Sequence, residues 1–99
     1  MPRFLLTRKA EADLKEIARY TQARWGREQR LKYLKTLDAC FWTLAENPHK
    51  GEDCGEIRDG YQKWPVGSHV VFYRLVAGRV EIIRILHQNM DTENRINET

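Results

Sequence analysis

Apolar residues recur at three- and four-residue steps from residue 10 to residue 45, and only Gly26 interrupts the pattern. On a helix, those before Gly26 span an arc of roughly 100°, the width of a core-facing stripe. Thr7 is a candidate N-cap, and Asn47-Pro48 ends the second helix because the residue before proline avoids helical geometry. Since almost no chain separates the two segments, the sequence predicts an antiparallel helical hairpin. The stripe consists of Ala10, Leu14, Ile17, Ala18, Thr21 and Trp25, then Leu31, Leu34, Leu37, Phe41, Leu44 and Ala45.

The second half of the chain is typical of strands. After a glycine-rich, charged segment at 49–60, strand candidates follow at 61–66, 69–76 and 80–87, the last two dominated by β-branched and aromatic residues. Phe4-Leu5-Leu6 is a further short strand candidate. Ala77-Gly78 predicts a two-residue hairpin turn. The pairs expected across this hairpin are Val76 with Arg79, Arg74 with Glu81, and Val71 with Arg84.

These elements predict an α+β fold of order β-α-α-β-β-β, an antiparallel sheet with a helical hairpin packed on one face. We expect residues 1–91 to form a single domain and residues 92–99 to be a polar C-terminal tail, frayed or disordered. Arg84 is then expected on the sheet face away from the helices. The face expected against the helices is the more apolar one, with Val70, Phe72, Val76, Ile83 and Ile85.

Length and composition exclude several classes of protein. A chain of 99 residues holds one small domain, not separate cofactor and substrate domains. Its uncharged apolar runs reach four residues, such as Val70–Tyr73, whereas a membrane span needs about 20. The N-terminus has no secretory pattern, so we expect a cytoplasmic protein. Cys40 and Cys54 fit neither a zinc site nor a redox pair, so we expect two free thiols, no metal and no cofactor.

Charge is distributed unevenly along the chain. The net charge is +3, with 11 Lys and Arg against 6 Asp and Glu in residues 1–50, and 6 against 8 afterwards. A basic stretch of this kind is either a solvated helix face or a surface that attracts an acidic protein or nucleic acid. The modest net charge does not imply strong non-specific DNA binding, and we expect no direct specific nucleic-acid partner. An acidic segment at 52–59 has no assigned role. The basic stretch consists of Arg24, Arg27, Arg30, Lys32 and Lys35.

Few residues are suited to catalysis. The chain has no phosphate-binding glycine loop and no hydrolase motif, and its histidines are His49, His69 and His87. Metal-free RNA cleavage needs a proton acceptor, a proton donor and cations for the transition state. His87 with Arg84 supplies part of that set, while the alternative is that His87 is structural.

Four segments resemble one known family. The segments Trp64–Arg74 (WPVGSHVVFYR) and Val80–Asp91 (VEIIRILHQNMD) are similar to the strands that close ParE-type toxins of type II toxin–antitoxin systems. Ala10–Leu14 with Ile17 and Tyr20 resembles the first helix of that family, and Leu44–Pro48 with Gly51 the end of its second. The resemblance covers about residues 3–91 in the expected order, and it implies the same β-α-α-β-β-β fold.

The resemblance implies a non-enzymatic toxin that inhibits DNA gyrase, blocks replication and is neutralised by a cognate acidic antitoxin. The alternatives are a RelE-like ribosome-dependent mRNA endoribonuclease and a protein that only binds its antitoxin. Ribonuclease members of the superfamily carry a strand arginine near where this chain has Val70, and a basic end with a late tyrosine; neither is present here. We expect the antitoxin on the basic stretch. The expected target-binding residues are Arg84, His87, Met90 and Asp91, unless Arg84 pairs with a carboxylate such as Asp91 and Met90 covers the core.

Overall fold

The computed structural model describes residues 3–97 and contains the predicted helical hairpin. Helix α1 spans Arg8–Trp25 and helix α2 spans Arg27–Glu46. The Thr7 hydroxyl accepts from the Ala10 N–H at 3.0 Å and caps α1, as predicted. Gly26 joins the helices at a φ of 96°, which residues with a side chain rarely adopt. Trp25 and Leu31 are exposed although the stripe included them, so the tip of the hairpin extends beyond the core.

The predicted α+β class is confirmed and the predicted elements occur in the predicted order, but the structure adds a short strand (Glu52–Asp53) and a C-terminal helix (Thr92–Asn97), and the sheet is mixed rather than wholly antiparallel. The first strand pairs in parallel with the last, whereas the other pairs within residues 3–97 are antiparallel. The reason is topological: both helices and the other strands separate these two in sequence, and such a long crossover permits parallel pairing. The strands are β1 (Phe4–Leu6), β2 (Glu52–Asp53), β3 (Gln62–Val66), β4 (His69–Val76) and β5 (Arg79–His87), in the order β1-β5-β4-β3-β2.

The β4–β5 hairpin has the predicted turn but not the predicted register throughout. Ala77 and Gly78 have φ of 52° and 77°, as a type I′ turn requires, and Arg74 lies opposite Glu81. Farther from the turn, Tyr73 pairs with Ile82 but Phe72 pairs with Arg84. Ile83 is therefore an extra residue in β5, a β-bulge, and the predicted pairing of Val71 with Arg84 is wrong.

Both faces of the β4–β5 hairpin are apolar, so hydrophobicity alone did not identify the face that packs on the helices. Tyr73 and Ile82 pack against α1 and α2, while Phe72 and Ile83 lie on the opposite face, so the predicted face assignment is wrong for most of its members. Ile85 does face the helices, as predicted. The extra residue Ile83 interrupts the alternation of β5, so Ile82 and Ile85 lie on the same face although they are three residues apart. The helix-side cluster takes Val71, Tyr73, Val80, Ile82 and Ile85 from the sheet, and the opposite cluster takes Phe72, Ile83 and Leu86.

The second face of the sheet is covered by segments predicted to be polar. Cys54, in the acidic segment, and Tyr61, just before β3, are buried there, and residues Thr92–Asn97 form helix α3, whose Ile96 is fully buried. A single isoleucine in a polar stretch gives no periodicity, which is why the sequence predicted a frayed tail. Residues 98 and 99 of that tail lie outside the described residues. Both cysteines are free thiols, and burial raises the pKa of Cys40 and Cys54 to about 11.

Gly67 is required by the β3–β4 turn. It has a φ of 57°, and a Cβ there would lie 2.7 Å from the Tyr33 ring. We expect Gly67→Ala to lower the free energy of unfolding by about 3 kcal/mol, combining backbone strain with displacement of Tyr33. Gly78→Ala is the matched control, because Gly78 also has a positive φ but open space at its Cβ, and should cost about 1 kcal/mol. Urea unfolding of both variants measures the difference, and equal losses would contradict the Tyr33 contact.

Candidate functional site

A groove opens between α1, the start of α2 and the adjoining ends of β4 and β5. It has a volume of about 900 Å³, and three large side chains stand in it with high exposure: Tyr20 (62%), Trp25 (64%) and Met90 (43%). Exposed apolar side chains that share one concave surface are typical of a binding site. We call this surface the histidine groove; it is lined by Glu16, Ile17, Tyr20, Thr21, Trp25, Gln29, Tyr33, Ser68, His69, His87 and Met90.

Two imidazoles meet at the sheet end of the histidine groove. His69 opens β4 and His87 ends β5, so their pairing brings the rings to a centroid distance of 5.4 Å, edge to face. The Tyr33 hydroxyl donates to the Val66 carbonyl oxygen at 3.2 Å and shares a 2.6 Å hydrogen bond with Nδ1 of His69. The Asn89 N–H donates to Nδ1 of His87 at 3.1 Å. Burial lowers the pKa of His69 from its usual value, and the neighbouring His87 lowers it further.

The chemistry of the histidine groove differs from that of a phosphate-cleaving site. Its lining contains two histidines and Glu16 but no lysine or arginine. A developing phosphorane charge would therefore lack the cations that stabilise it, and Glu16 would oppose it. No cluster of three or more His, Cys, Asp or Glu side chains with metal-binding geometry occurs within residues 3–97. The apolar side chains are the main contact surface that this groove offers.

Arg84 lies outside the groove lining and is engaged with α1. Its Nε and Nη2 donate to the two carboxylate oxygens of Asp13 at 2.8 and 3.0 Å, and its Nη1 donates to the Arg95 carbonyl at 3.1 Å. The same Asp13 carboxylate accepts from the Ile85 N–H at 2.9 Å. The Arg84 and Asp13 side chains are only 11% and 14% exposed. The partner of Arg84 is thus Asp13 rather than Asp91.

The structure separates the four predicted target-binding residues into two pairs. His87 and Met90 line the histidine groove, whereas Arg84 binds Asp13 and Asp91 holds the start of α3. Asp91 accepts from the Asn94 side-chain amide at 2.6 Å, and its carbonyl accepts from the Arg95 N–H at 3.1 Å.

The predicted basic stretch surrounds the tip of the helical hairpin. Its side chains are exposed except that of Arg30, which is half-buried and donates to Gln22. Arg24 lies over the Trp25 ring at 5.5 Å. Arg27, Lys35 and Lys32 spread over roughly 140° of α2 at the helical rotation per residue, so they do not form a single line.

Sequence reasoning missed Tyr20 and Trp25 as groove residues and Asp13 as the partner of Arg84. Trp25 was assigned to the core because it continues the helical spacing of the apolar stripe. Its position next to Gly26, at the end of α1, was the available signal that it lies beyond the core. Asp13 also had a signal, since it lies roughly 40° outside the apolar arc of α1, where a carboxylate can reach the sheet edge.

Comparisons with known proteins agree on one family. Residues 4–92 match the model of the ParE toxin of the type II toxin–antitoxin system. The Toxin ParE1 of Caulobacter vibrioides is 47% identical over 91 residues, covering 92% of this chain and 94% of that protein. The Toxin ParE1 of Mycobacterium tuberculosis is 42% identical over 95 residues, covering 95% and 97%. A solved chain of the chromosomal ParDE system from P. aeruginosa superposes with a TM-score of 0.76 at 22% identity, covering 88% of this chain and 96% of that one. No helix within residues 3–97 has the length and apolar character needed to cross a membrane.

Removing Arg84 should destabilise the protein strongly. Arg84→Ala leaves the Asp13 carboxylate with little solvent and without its cation, so we expect the free energy of unfolding to fall by about 2–4 kcal/mol. Arg74→Ala is the control, because the Arg74–Glu81 pair has the same 2.8 Å separation but is more exposed, at 44% and 25%. That variant should lose less than about 1 kcal/mol. Similar midpoints in urea for both variants would show that the Asp13 pair adds nothing beyond a surface interaction.

Stability should depend on the protonation of His69. Because the pKa of His69 is lower in the folded than in the unfolded protein, the unfolded state binds more protons between that lowered value and 6.5. The stability that comes from keeping His69 neutral is fully present above pH 6.5, and it is lost as the pH falls through the folded-state pKa of His69. Urea unfolding between about pH 8 and about pH 5.5 should show the loss, and His69→Asn should reduce it while keeping a polar partner for Tyr33. An unchanged pH slope in the variant would assign the loss to other groups.

Proposed function

Because the chain belongs to the family of ParE toxins of type II toxin–antitoxin systems, we propose that it inhibits DNA gyrase and so blocks replication, acting in the cytoplasm without catalysing a reaction. A cognate acidic antitoxin neutralises it in this proposal. The family membership supports the class of activity, and the local chemistry of the groove supports the way in which it acts.

The observation that carries the proposal is the composition of the histidine groove. Tyr20, Trp25 and Met90 present exposed apolar surface, and the lining has no cation for a phosphate. Aromatic residues and methionine are enriched where proteins bind proteins, and a flexible thioether adapts to an irregular partner surface. The groove is thus suited to holding a protein segment of the target, with no bond made or broken.

The predicted target-binding residues have two different roles in this mechanism. His87 and Met90 touch the target, together with Tyr20 and Trp25 on the facing helix. Arg84 and Asp91 act indirectly: Arg84 holds the end of β5 against α1, and Asp91 holds the start of α3. Loss of toxicity on changing Arg84 would therefore accompany loss of stability.

The RelE-like ribonuclease remains the alternative function, since His69 and His87 form a pair of candidate proton-transfer groups. Two features count against it. Arg84, the nearest cation on the same strand, is held by Asp13, and the only charged side chain in the groove lining is the Glu16 carboxylate.

Inhibition of gyrase should depend on Met90. Met90→Ala removes an exposed apolar side chain from the groove. We expect the variant to inhibit gyrase supercoiling only at a roughly tenfold higher concentration than the wild type, with a melting temperature near that of the wild type. Leu31→Ala is a matched control, because Leu31 is also an exposed apolar residue, at 54%, but lies outside the groove. Its inhibition should equal that of the wild type.

Translation in the same extract tests the alternative. We expect ribosome-bound mRNA to stay intact with the wild-type toxin. Specific mRNA cleavage that His87→Ala abolishes, without inhibition of supercoiling, would establish the ribonuclease and overturn the gyrase proposal.

A further inference from the structure

The lining of the histidine groove is rich in flat rings that come from three different parts of the fold. Helix α1 contributes Tyr20 and Trp25, both exposed. Tyr33 of α2 and the two histidines of the sheet form a row, with ring centroids 5.5 Å apart from Tyr33 to His69 and 5.4 Å apart from His69 to His87. The face of an aromatic ring carries partial negative charge and attracts a cation that lies over it.

The fixed charge in the groove has the same sign as these ring faces. Among the described residues that line the groove, Glu16 is the one carboxylate, and no lysine or arginine occupies the space between the rings. The Glu16 side chain is 72% exposed and pairs at 2.8 Å with Arg19, which lies outside the lining. Because an exposed pair of this kind contributes little free energy, Glu16 can also bind a cation that enters the groove.

One ring of the groove already has a cation next to it. The guanidinium carbon of Arg24 lies 5.5 Å from the centroid of the Trp25 ring, although Arg24 is not part of the groove lining. This distance is within the range over which a guanidinium and an aromatic ring attract each other. A cation of the target can therefore share this indole or displace Arg24 from it.

Other kinds of occupant fit the histidine groove less well. An acidic side chain would be repelled by Glu16 and by the negative ring faces. A wholly apolar segment could cover Ile17 and Met90, but it would take water away from the Glu16 carboxylate without replacing it by a partner, which is costly. A long side chain with a terminal cation satisfies both parts of the groove, because its methylene groups contact apolar surface while its charge meets the carboxylate.

We propose that the histidine groove binds a lysine or arginine side chain of the target, with the cation on the Tyr20 and Trp25 rings beside the Glu16 carboxylate. This inference rests on the proposed inhibition of gyrase and specifies the chemical class that the groove recognises. The apolar part of the same side chain lies against Ile17 and Met90.

The first test removes one negative charge at either of two exposed helical positions. We expect Glu16→Gln to inhibit gyrase supercoiling only at a roughly tenfold higher concentration than the wild type, because the cation loses its carboxylate. Glu28→Gln is the matched control, since Glu28 is also an exposed glutamate but lies outside the groove lining. Glu28→Gln should inhibit as the wild type does, and both variants should melt near the wild-type temperature.

The second test separates the aromatic ring from its apolar area. Tyr20→Phe keeps the ring, whereas Tyr20→Leu keeps an apolar side chain that has no ring face. Because Tyr20 is 62% exposed, neither change should greatly alter the melting temperature. We expect Tyr20→Leu to need a roughly fivefold higher concentration than Tyr20→Phe for the same inhibition of supercoiling.

The outcomes distinguish this inference from the function on which it rests. Wild-type inhibition by Glu16→Gln, an equal loss in Glu28→Gln, or equal inhibition by Tyr20→Phe and Tyr20→Leu would each overturn the inference and leave gyrase inhibition intact. A wild-type toxin that does not inhibit supercoiling at all would overturn the proposed function and this inference together.

Discussion

The bidentate pair between Asp13 and Arg84 holds the structure together at the point where the sheet would otherwise be incomplete. Strand β1 ends at Leu6, opposite Ile82, but β5 continues to His87. Beyond Ile82 the outer edge of β5 has no neighbouring strand in residues 3–97, and an unpaired N–H there would be costly to bury. The Thr7 hydroxyl donates to the Ile83 carbonyl, and the Asp13 carboxylate accepts from the Ile85 N–H, so the first turns of α1 replace the missing strand.

Arg84 stabilises the Asp13 carboxylate at this sheet edge and connects it to α3, which covers the second face of the sheet. A carboxylate with so little exposure needs a cation, and the guanidinium provides two parallel hydrogen bonds to it. Its Nη1 donates to the carbonyl of Arg95, so one side chain connects α1, β5 and α3 around the edge of the sheet. The buried Ile96 then secures α3 over the second face.

The histidine groove depends on this edge for its shape. His87 lies two residues beyond Ile85, so the position of its ring follows from how β5 is held against α1. The facing wall comes from the same helix, through Tyr20 and Trp25. A rigid strand end opposite a rigid helix lets exposed aromatic side chains keep a fixed arrangement, which favours recognition of a folded partner.

Local signals were enough to predict the helical hairpin and the β4–β5 turn, but not α3 or the side-chain arrangement of the sheet. Thr7, Gly26 and Ala77-Gly78 each specify backbone geometry within a few residues, and all three positions behave as expected. The bulge at Ile83 leaves no such trace, because β5 is apolar on both faces and has no alternation to interrupt. The Asp13–Arg84 pair is separated by 71 residues and depends on that bulge and on the parallel placement of β1. The hydroxyl of Tyr73, which binds Pro48 and Gly51 and positions the chain after α2, is likewise a long-range contact.

The placement of β5 between β1 and β4 has a consequence for the newly made chain. Strand β5, which pairs with both β1 and β4, is also the last strand to be synthesised, and β1 has no other strand partner in residues 3–97. Closing so long a loop is entropically unfavourable until the final contacts compensate for it. A chain that ends before residue 80 therefore has an unpaired first strand, and its helices lack Val80, Ile82 and Ile85 to pack on. We expect such a fragment to be unfolded rather than a weakened form of the protein.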